Sequence, residues 1–149
     1  MTRMSDAVSA STLDANKALV RRLLADYGAE DLAGLDAYVA PDYIHHFTGG
    51  PRDADLPGFK RMMAPFATAF PDAHLEVHTL VAEGHFVAAR MTFVGTHRGA
   101  LHDLPATGHV VCVPIFAVYR VADGRIAEAW QLTDNQSMSR QLAPVPAPA

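Results

Sequence analysis

Asp123-Gly-Arg-Ile-Ala-Glu-Ala-Trp-Gln-Leu-Thr-Asp134 opens on a dipeptide that favours a tight hairpin turn. It then alternates as a strand should, carries the only tryptophan, Trp130, and stops at a carboxylate. A hairpin needs a partner strand before the turn, and Val110 to Val121 supplies one. That run is almost wholly apolar, which predicts cover on both of its faces. Cys112, the only cysteine, lies inside it and reads as a buried structural thiol, with no disulfide open to it within the chain. Working outward, Phe86 to Thr96 is a further long strand. Leu75, Val77, Thr79 and Val81 alternate with His74, Glu76 and His78 in another. Glu83-Gly84-His85 turns between these two. His97 to His109 is a loop holding Gly99, Pro105 and Gly108.

The first half of the chain has a different period. Leu19, Val20, Leu23, Leu24 and Tyr27 recur at helical spacing, which predicts an amphipathic helix over 14–28, stopped near Gly28. Asp31 is placed to cap a second short helix with Leu32, Leu35, Tyr38 and Val39 on one face, ended by Pro41. Tyr43-Ile-His-His-Phe47 reads as a strand or extended segment, and 48–57 as a loop. Phe59, Met62, Met63 and Phe66 mark a third helix over 58–69, with a kink or a shortening expected at Pro65. Residues after Asp134 predict a last helical turn or two, to Leu142. Residues 1–12 form an N-terminal arm and 143–149 a Pro/Ala-rich tail around a single domain, 13–142. Helices first and antiparallel strands afterwards predict an α+β domain with helices on one face of a sheet.

Half of the 149 residues are hydrophobic, enough for a real core in one domain. A net charge of −4 gives no electrostatic case for nucleic acid or an anionic membrane. No apolar run approaches a membrane span, and the first residues lack the apolar segment of a secretion signal, so a cytoplasmic location is expected. Gly-rich phosphate loops, GxSxG and HExxH motifs and Cys/His clusters are absent from the sequence.

Asp134 has two readings. At the mouth of an apolar pocket, desolvation suits a carboxylate to general acid/base work. At the start of the terminal helix, the same side chain is an N-cap. His74 and His78 are four apart, but on a strand that spacing spans about 13 Å, too far for one metal ion. His85, His102 and His109 read as surface residues of turns and loops. His97 ends a strand behind Met91, Phe93 and Gly95, where it is either a proton shuttle or substrate donor, or a structural histidine. Of the adjacent pair His45 and His46, one should point inward and one out. If Trp130 faces the pocket, Glu128 shares that face; an ion pair with an arginine such as Arg90 is its plainer role.

Several ordered motifs resemble the SnoaL-like polyketide cyclase family, within the nuclear-transport-factor-like α+β cone superfamily. They are Pro41-Asp-Tyr-Ile-His-His46, Phe70-Pro-Asp-Ala-His74, Glu83-Gly84 with Val87-Ala-Ala-Arg90, and Gly95-Thr-His-Arg-Gly99. Leu104-Pro-Ala-Thr-Gly108, Asp123-Gly-Arg-Ile-Ala-Glu128, Trp130 with Asp134, and Gln141-Leu142 complete the set. The resemblance implies a cone-shaped α+β barrel with about three N-terminal helices on a curved, mostly antiparallel sheet, often dimeric through that sheet. It implies no metal and no organic cofactor. It also implies ring closure by intramolecular aldol condensation of an aromatic polyketide ester, with Asp134 as acid/base and His97 as its catalytic helper. His45, His46, Trp130, Tyr43, Phe93, Phe116 and Met63 would bind or wall in the substrate. One departure stands out: the strand before the hairpin offers Ile115 or Ala117 where the family brings a polar pocket residue.

The expected function is therefore a cofactor-independent acid/base enzyme on a small apolar carbonyl substrate, a cyclase or a related isomerase or lyase. Two alternatives use the same pocket. One is a non-catalytic binding or accessory domain. The other is an epoxide hydrolase built from Asp134, Arg90 and Glu128. Asp134 and His97 pointing into one closed cavity favours an enzyme; Asp134 capping the terminal helix toward solvent favours binding.

Overall fold

The computed structural model describes residues 7–27, 32–50 and 52–143. Helix α1 spans Ala10–Tyr27 and is followed by a short 3-10 helix, Leu32–Ala37. Strands β1 (Val39–Phe47) and β2 (Ala54–Asp55) precede helix α2 (Leu56–Ala69). Strands β3 (His74–Glu83), β4 (Phe86–Thr96), β5 (Val110–Ala122) and β6 (Arg125–Thr133) follow, and helix α3 (Asn135–Leu142) closes the chain. The expected stop at Gly28, the cap at Asp31, residues 1–6 of the arm and 144–149 of the tail lie outside the described residues.

The six strands form one curved sheet in the order β2-β1-β6-β5-β4-β3. The sheet does not close, since β2 and β3 are its two edges. All pairs are antiparallel except β1 with β6. α1 lies across β3, α2 against β1 and β2, and α3 against β5. The curled sheet and its helices enclose a core that includes Leu23, Leu24, Tyr43, Phe59, Met91, Ile115 and Tyr119. This is the cone-like α+β architecture expected from the sequence.

Local chemistry explains most boundaries. Asp123 and Gly124 both take positive φ, 51° and 72°, the geometry that matches a two-residue turn to the twist of β5 and β6. Asp55 caps α2 through Oδ1, which accepts from the Gly58 N–H at 2.9 Å, and Pro57 sits in the first turn, where its missing donor costs nothing. Pro65 stays inside α2 and does not shorten it. The loop after β4 docks on the end of α2: the N–H groups of Arg98 and Gly99 both donate to the Ala69 carbonyl, at 2.9 and 3.1 Å. A Cβ on Gly99 would stand 2.6 Å from the Thr68 carbonyl oxygen, so only glycine permits that approach.

Four expectations change. Val39 belongs to a strand, not to a helix ended by Pro41. Proline is tolerated there because β1 and β6 fall out of register between Val39 and Ile44, leaving no ladder bond for it to make. In β3 a similar irregularity between Val77 and Thr79 flips the alternation, so Leu80 and Ala82 turn inward and Val81 is 58% exposed. β5 is covered on one face only: Val111, Val113, Ile115, Ala117 and Tyr119 are buried, whereas Val110, Phe116 and Val118 are exposed. Cys112 shares that open face and is exposed.

Candidate active site

Strand alternation sorts the singled-out residues onto the two faces of the sheet. Tyr43 and His45 on β1, Met91 and Phe93 on β4, Ile115, Ala117 and Tyr119 on β5, and Ala129, Gln131 and Thr133 on β6 face inward. Ile44, His46, Arg90, Phe116, Val118, Trp130 and Leu132 face outward. The inner side holds one cavity in two parts. The inner chamber is narrow, with about 20 Å³ of water-sized room, among Tyr27, Leu35, Tyr43, His45, Phe59, Tyr119 and Gln131. The mouth, including the part open to solvent, adds about 1100 Å³ among Phe47, Arg61, Met63, Phe66, Phe93, His102, Thr133, Asn135 and Met138. Tyr27, Ile115 and Gln131 line both parts and join them.

His45 is the most unusual group in the chamber. It is 2% exposed, its ring lies 4.4 Å from both Phe47 and Phe59, and its Nδ1 is 2.7 Å from the Tyr43 hydroxyl. The Tyr43 hydroxyl and Nδ1 share this hydrogen bond, which fixes the orientation of the ring. Nε2 makes no bond of normal geometry, and the Gln131 side chain is the polar group that acts on the ring. Burial pushes the His45 pKa down to about 4, against the opposing pull of the Gln131 side chain. The sign follows: below about 6.5 the unfolded chain takes up a proton that folded His45 refuses until about pH 4. Stability is therefore expected to fall across that window by on the order of 3 kcal/mol. Urea unfolding at pH 7.5 and 4.5 checks it: His45→Gln should flatten the difference, and an equal loss in both proteins would remove His45 as its source.

His46 faces the other way. Its ring stacks on Trp130 at 5.2 Å, with Nε2 2.6 Å from Glu128 and Nδ1 3.0 Å from Asp53. The bond to Glu128, then Asp53, holds its pKa above the ordinary value. Glu128 also binds Arg120 at 3.1 Å, so its partner is Arg120 and not Arg90. The expectation that Trp130, Phe116 and His46 wall the cavity is corrected: all three lie on the outer face, because an inward Ile115, Ala117 and Gln131 forces their neighbours outward. The conjunction of Asp134, Arg90 and Glu128 is not formed in the cavity, since Arg90 and Glu128 lie on that outer side.

His97 is fully buried and takes the Thr107 N–H on Nδ1 at 3.2 Å; it packs 5.4 Å from Phe70 and does not line the cavity. Asp134 is exposed and caps α3, Oδ1 accepting from the Ser137 N–H at 2.9 Å. Its neighbours Thr133 and Asn135 line the mouth, so Asp134 stands on the rim. The structure thus separates Asp134 from His97. Among the described residues no Asp or Glu lines the chamber or the mouth.

Sequence reading missed Gln131, Tyr119, Tyr27 and His102 as lining residues. Gln131 donates through Nε2 to the Thr133 Oγ1 at 2.8 Å, and the Tyr27 hydroxyl lies 2.8 Å from the Met63 sulfur. Gln131 supplies the polar group that β5 lacks. It was signalled only by its odd spacing from Trp130.

A sequence profile of the SnoaL-like polyketide cyclases matches residues 17–142. The chain belongs to the SnoaL-like polyketide cyclase family. It is 30% identical over 115 residues to nogalonic acid methyl ester cyclase of Streptomyces nogalater, across 72% of this chain and 82% of that one. It is 30% identical over 137 residues to aklanonic acid methyl ester cyclase DauD of a Streptomyces species, strain C5, across 87% and 83%. Among solved structures it resembles AclR, a candidate hydroxylase from Streptomyces galilaeus, with a TM-score of 0.81 and 27% identity over 92% of this chain and 86% of that one. Proteins similar to this chain thus carry more than one named chemistry, and the cavity must decide between them.

Proposed function

We propose that this SnoaL-like protein closes a ring on an aromatic, ketone-bearing polyketide ester by intramolecular aldol addition, using the cavity between the helices and the inner sheet face. The observation that carries it is an apolar cavity with neutral polar groups inside and a carboxylate, Asp134, at its rim. In this reading Asp134 removes a proton from the carbon between two carbonyls of the substrate's outer end. The enolate carbon attacks a ketone carbon of the same molecule, a C–C bond forms, and the resulting alkoxide takes the proton back. The amides of Gln131 and Asn135 are the donors nearest that event. Met63, Phe93 and Tyr43 form walls, and His97 holds the loop after β4 rather than the substrate.

His45 does not act on the same enolate. Ala129 on β6 pairs with His45, and Asp134 lies five positions further along. That is about 16 Å of strand, too far for one enolate to touch both.

The test is incubation with aklanonic acid methyl ester and with nogalonic acid methyl ester, with no added cofactor. A product of unchanged mass with one ring more is expected. A product heavier by one oxygen would replace the reading with hydroxylation. Tight binding with no product would favour a binding domain, the reading that the exposed, capping position of Asp134 supports.

Two copies pack through their outer sheet faces in this proposal. Val81, Phe116 and Leu132 are 58%, 55% and 53% exposed and border one apolar groove across β3, β5 and β6, the kind of exposed apolar surface that marks an interaction site. No helix among the described residues is long and apolar enough to cross a membrane. We place the protein in the cytoplasm, with a small organic substrate.

A further inference from the structure

The room for a ligand lies in the mouth, not in the inner chamber: about 350 Å³ of water-sized space against about 20 Å³. Chemistry on a substrate therefore falls to groups that line the mouth. Thr48, Arg61, His102 and Asn135 line it but stand exposed, where water competes for their hydrogen bonds. Two half-buried hydroxyls line it as well, those of Tyr27 and Thr133. The Tyr27 hydroxyl is taken by the Met63 sulfur, which leaves Thr133.

A chain of side chains sets what this hydroxyl can do. Gln131 and Thr133 are two apart on β6 and share its inner face. Gln131 Nε2 donates to Thr133 Oγ1 at 2.8 Å. The other end of the amide is turned to His45: the Gln131 side chain raises the His45 pKa against the effect of burial, as an accepting oxygen does and an N–H donor does not. An amide has one oxygen and one nitrogen, so holding the oxygen toward the ring presents the nitrogen to Thr133. The ring is itself held by the Tyr43 hydroxyl at 2.7 Å. Thr133 Oγ1 thus faces the mouth with an acceptor site filled, and nothing among the described residues accepts its own proton. A hydroxyl that already accepts is a stronger donor, since hydrogen bonds in a chain polarise one another.

We propose that Thr133 is a further catalytic residue, whose O–H donates to the ketone oxygen under attack, and that Gln131 is the positioning residue behind it. Asp134 is the next residue, one Cα step of about 3.8 Å away, so base and donor reach the same end of the substrate. The proton of the substrate carbon goes to Asp134, the C–C bond forms, and the π pair of the ketone moves to its oxygen as the alkoxide. The bond from Thr133 strengthens as charge gathers there, and Asp134 returns the proton. The inference rests on the cyclase reading of this cavity.

The deciding pair is Thr133→Val, which keeps the branched shape, and Thr133→Ser, which keeps the hydroxyl. With either methyl ester, Thr133→Val is expected to lower kcat about 10²-fold and leave KM within about threefold, because the donor acts mainly in the transition state. Thr133→Ser should stay within about fivefold of wild type. Gln131→Leu should lower kcat about tenfold alone and no further in the Thr133→Val protein, as expected of a residue that acts through Thr133. An unchanged kcat in Thr133→Val, a Thr133→Ser protein as slow as Thr133→Val, or additive losses from Gln131→Leu would each overturn the assignment. If wild type closes no ring on either ester, the cyclase reading falls, and binding then decides the donor. The probes are 2-acetylnaphthalene and 2-isopropenylnaphthalene, alike in shape, with a carbonyl oxygen in one and a methylene in the other. In calorimetric titration wild type should favour the ketone about fivefold, and Thr133→Val should lose that preference while still binding the alkene. No preference in wild type, or one that survives the substitution, would overturn the donor.

Discussion

Asp134→Asn is expected to lower the rate of ring closure by about 10²- to 10⁴-fold while leaving the thermal midpoint in place. The reason for choosing asparagine lies in the double use of this side chain. Oδ1 accepts the Ser137 N–H and starts α3. Asparagine caps as well as aspartate does, so the cap survives and only the proton acceptor is lost. α3 matters to the cavity: Met138 and Asn135 line the mouth, and Gln141 clamps the Cys112 backbone, accepting its N–H at 2.7 Å and donating to its carbonyl at 2.8 Å. Asp134→Ala would confuse the two roles by removing about 1 kcal/mol of capping as well. Steady-state rates with either methyl ester, beside a melting curve, make the comparison. Near-normal turnover of a folded Asp134→Asn protein would remove Asp134 as the base and move the chemistry inward.

Phe116→Asp should convert the proposed dimer to a monomer. Phe116 is 55% exposed on the outer face of β5, between Arg90 of β4 and Leu132 of β6 in the register. In a two-fold interface each substitution enters twice, so two carboxylates would be taken out of water in an apolar face, each beside a cross-strand Arg90. Sedimentation equilibrium should give about twice the 16.0 kDa chain mass for wild type and the chain mass for the variant. The inner cavity is on the opposite face, so turnover of either methyl ester should survive the change. A wild-type monomer at tens of micromolar, or a variant that remains dimeric, would remove the outer sheet face as the interface.

Much of this molecule was legible in its sequence. Asp123-Gly124 fixed the β5–β6 hairpin because both positions require positive φ. Leu19, Val20, Leu23 and Leu24 fixed α1 and its buried face. The ordered motifs from Pro41 to Leu142 marked the family, and the profile match to 17–142 agrees. The candidate site was only half legible. Asp134, Tyr43, His45, Met63 and Phe93 were named, but so were Trp130, Phe116 and His46, which lie on the wrong side of the sheet.

The sequence by itself determined the elements, their order and the family. Period, turn chemistry and motif order are local properties, and the chain states them without a partner. Only the tertiary structure decided which side of the sheet is inside. In β5 the set Val110, Cys112, Phe116, Val118 is as apolar as the set Val111, Val113, Ile115, Ala117. Alternation gives the period of a strand but not its phase when both faces are apolar. Folding fixes that phase by packing α1 and α2 on one face and leaving the other open. That choice sent Trp130 outward and brought Gln131 and Thr133 inward.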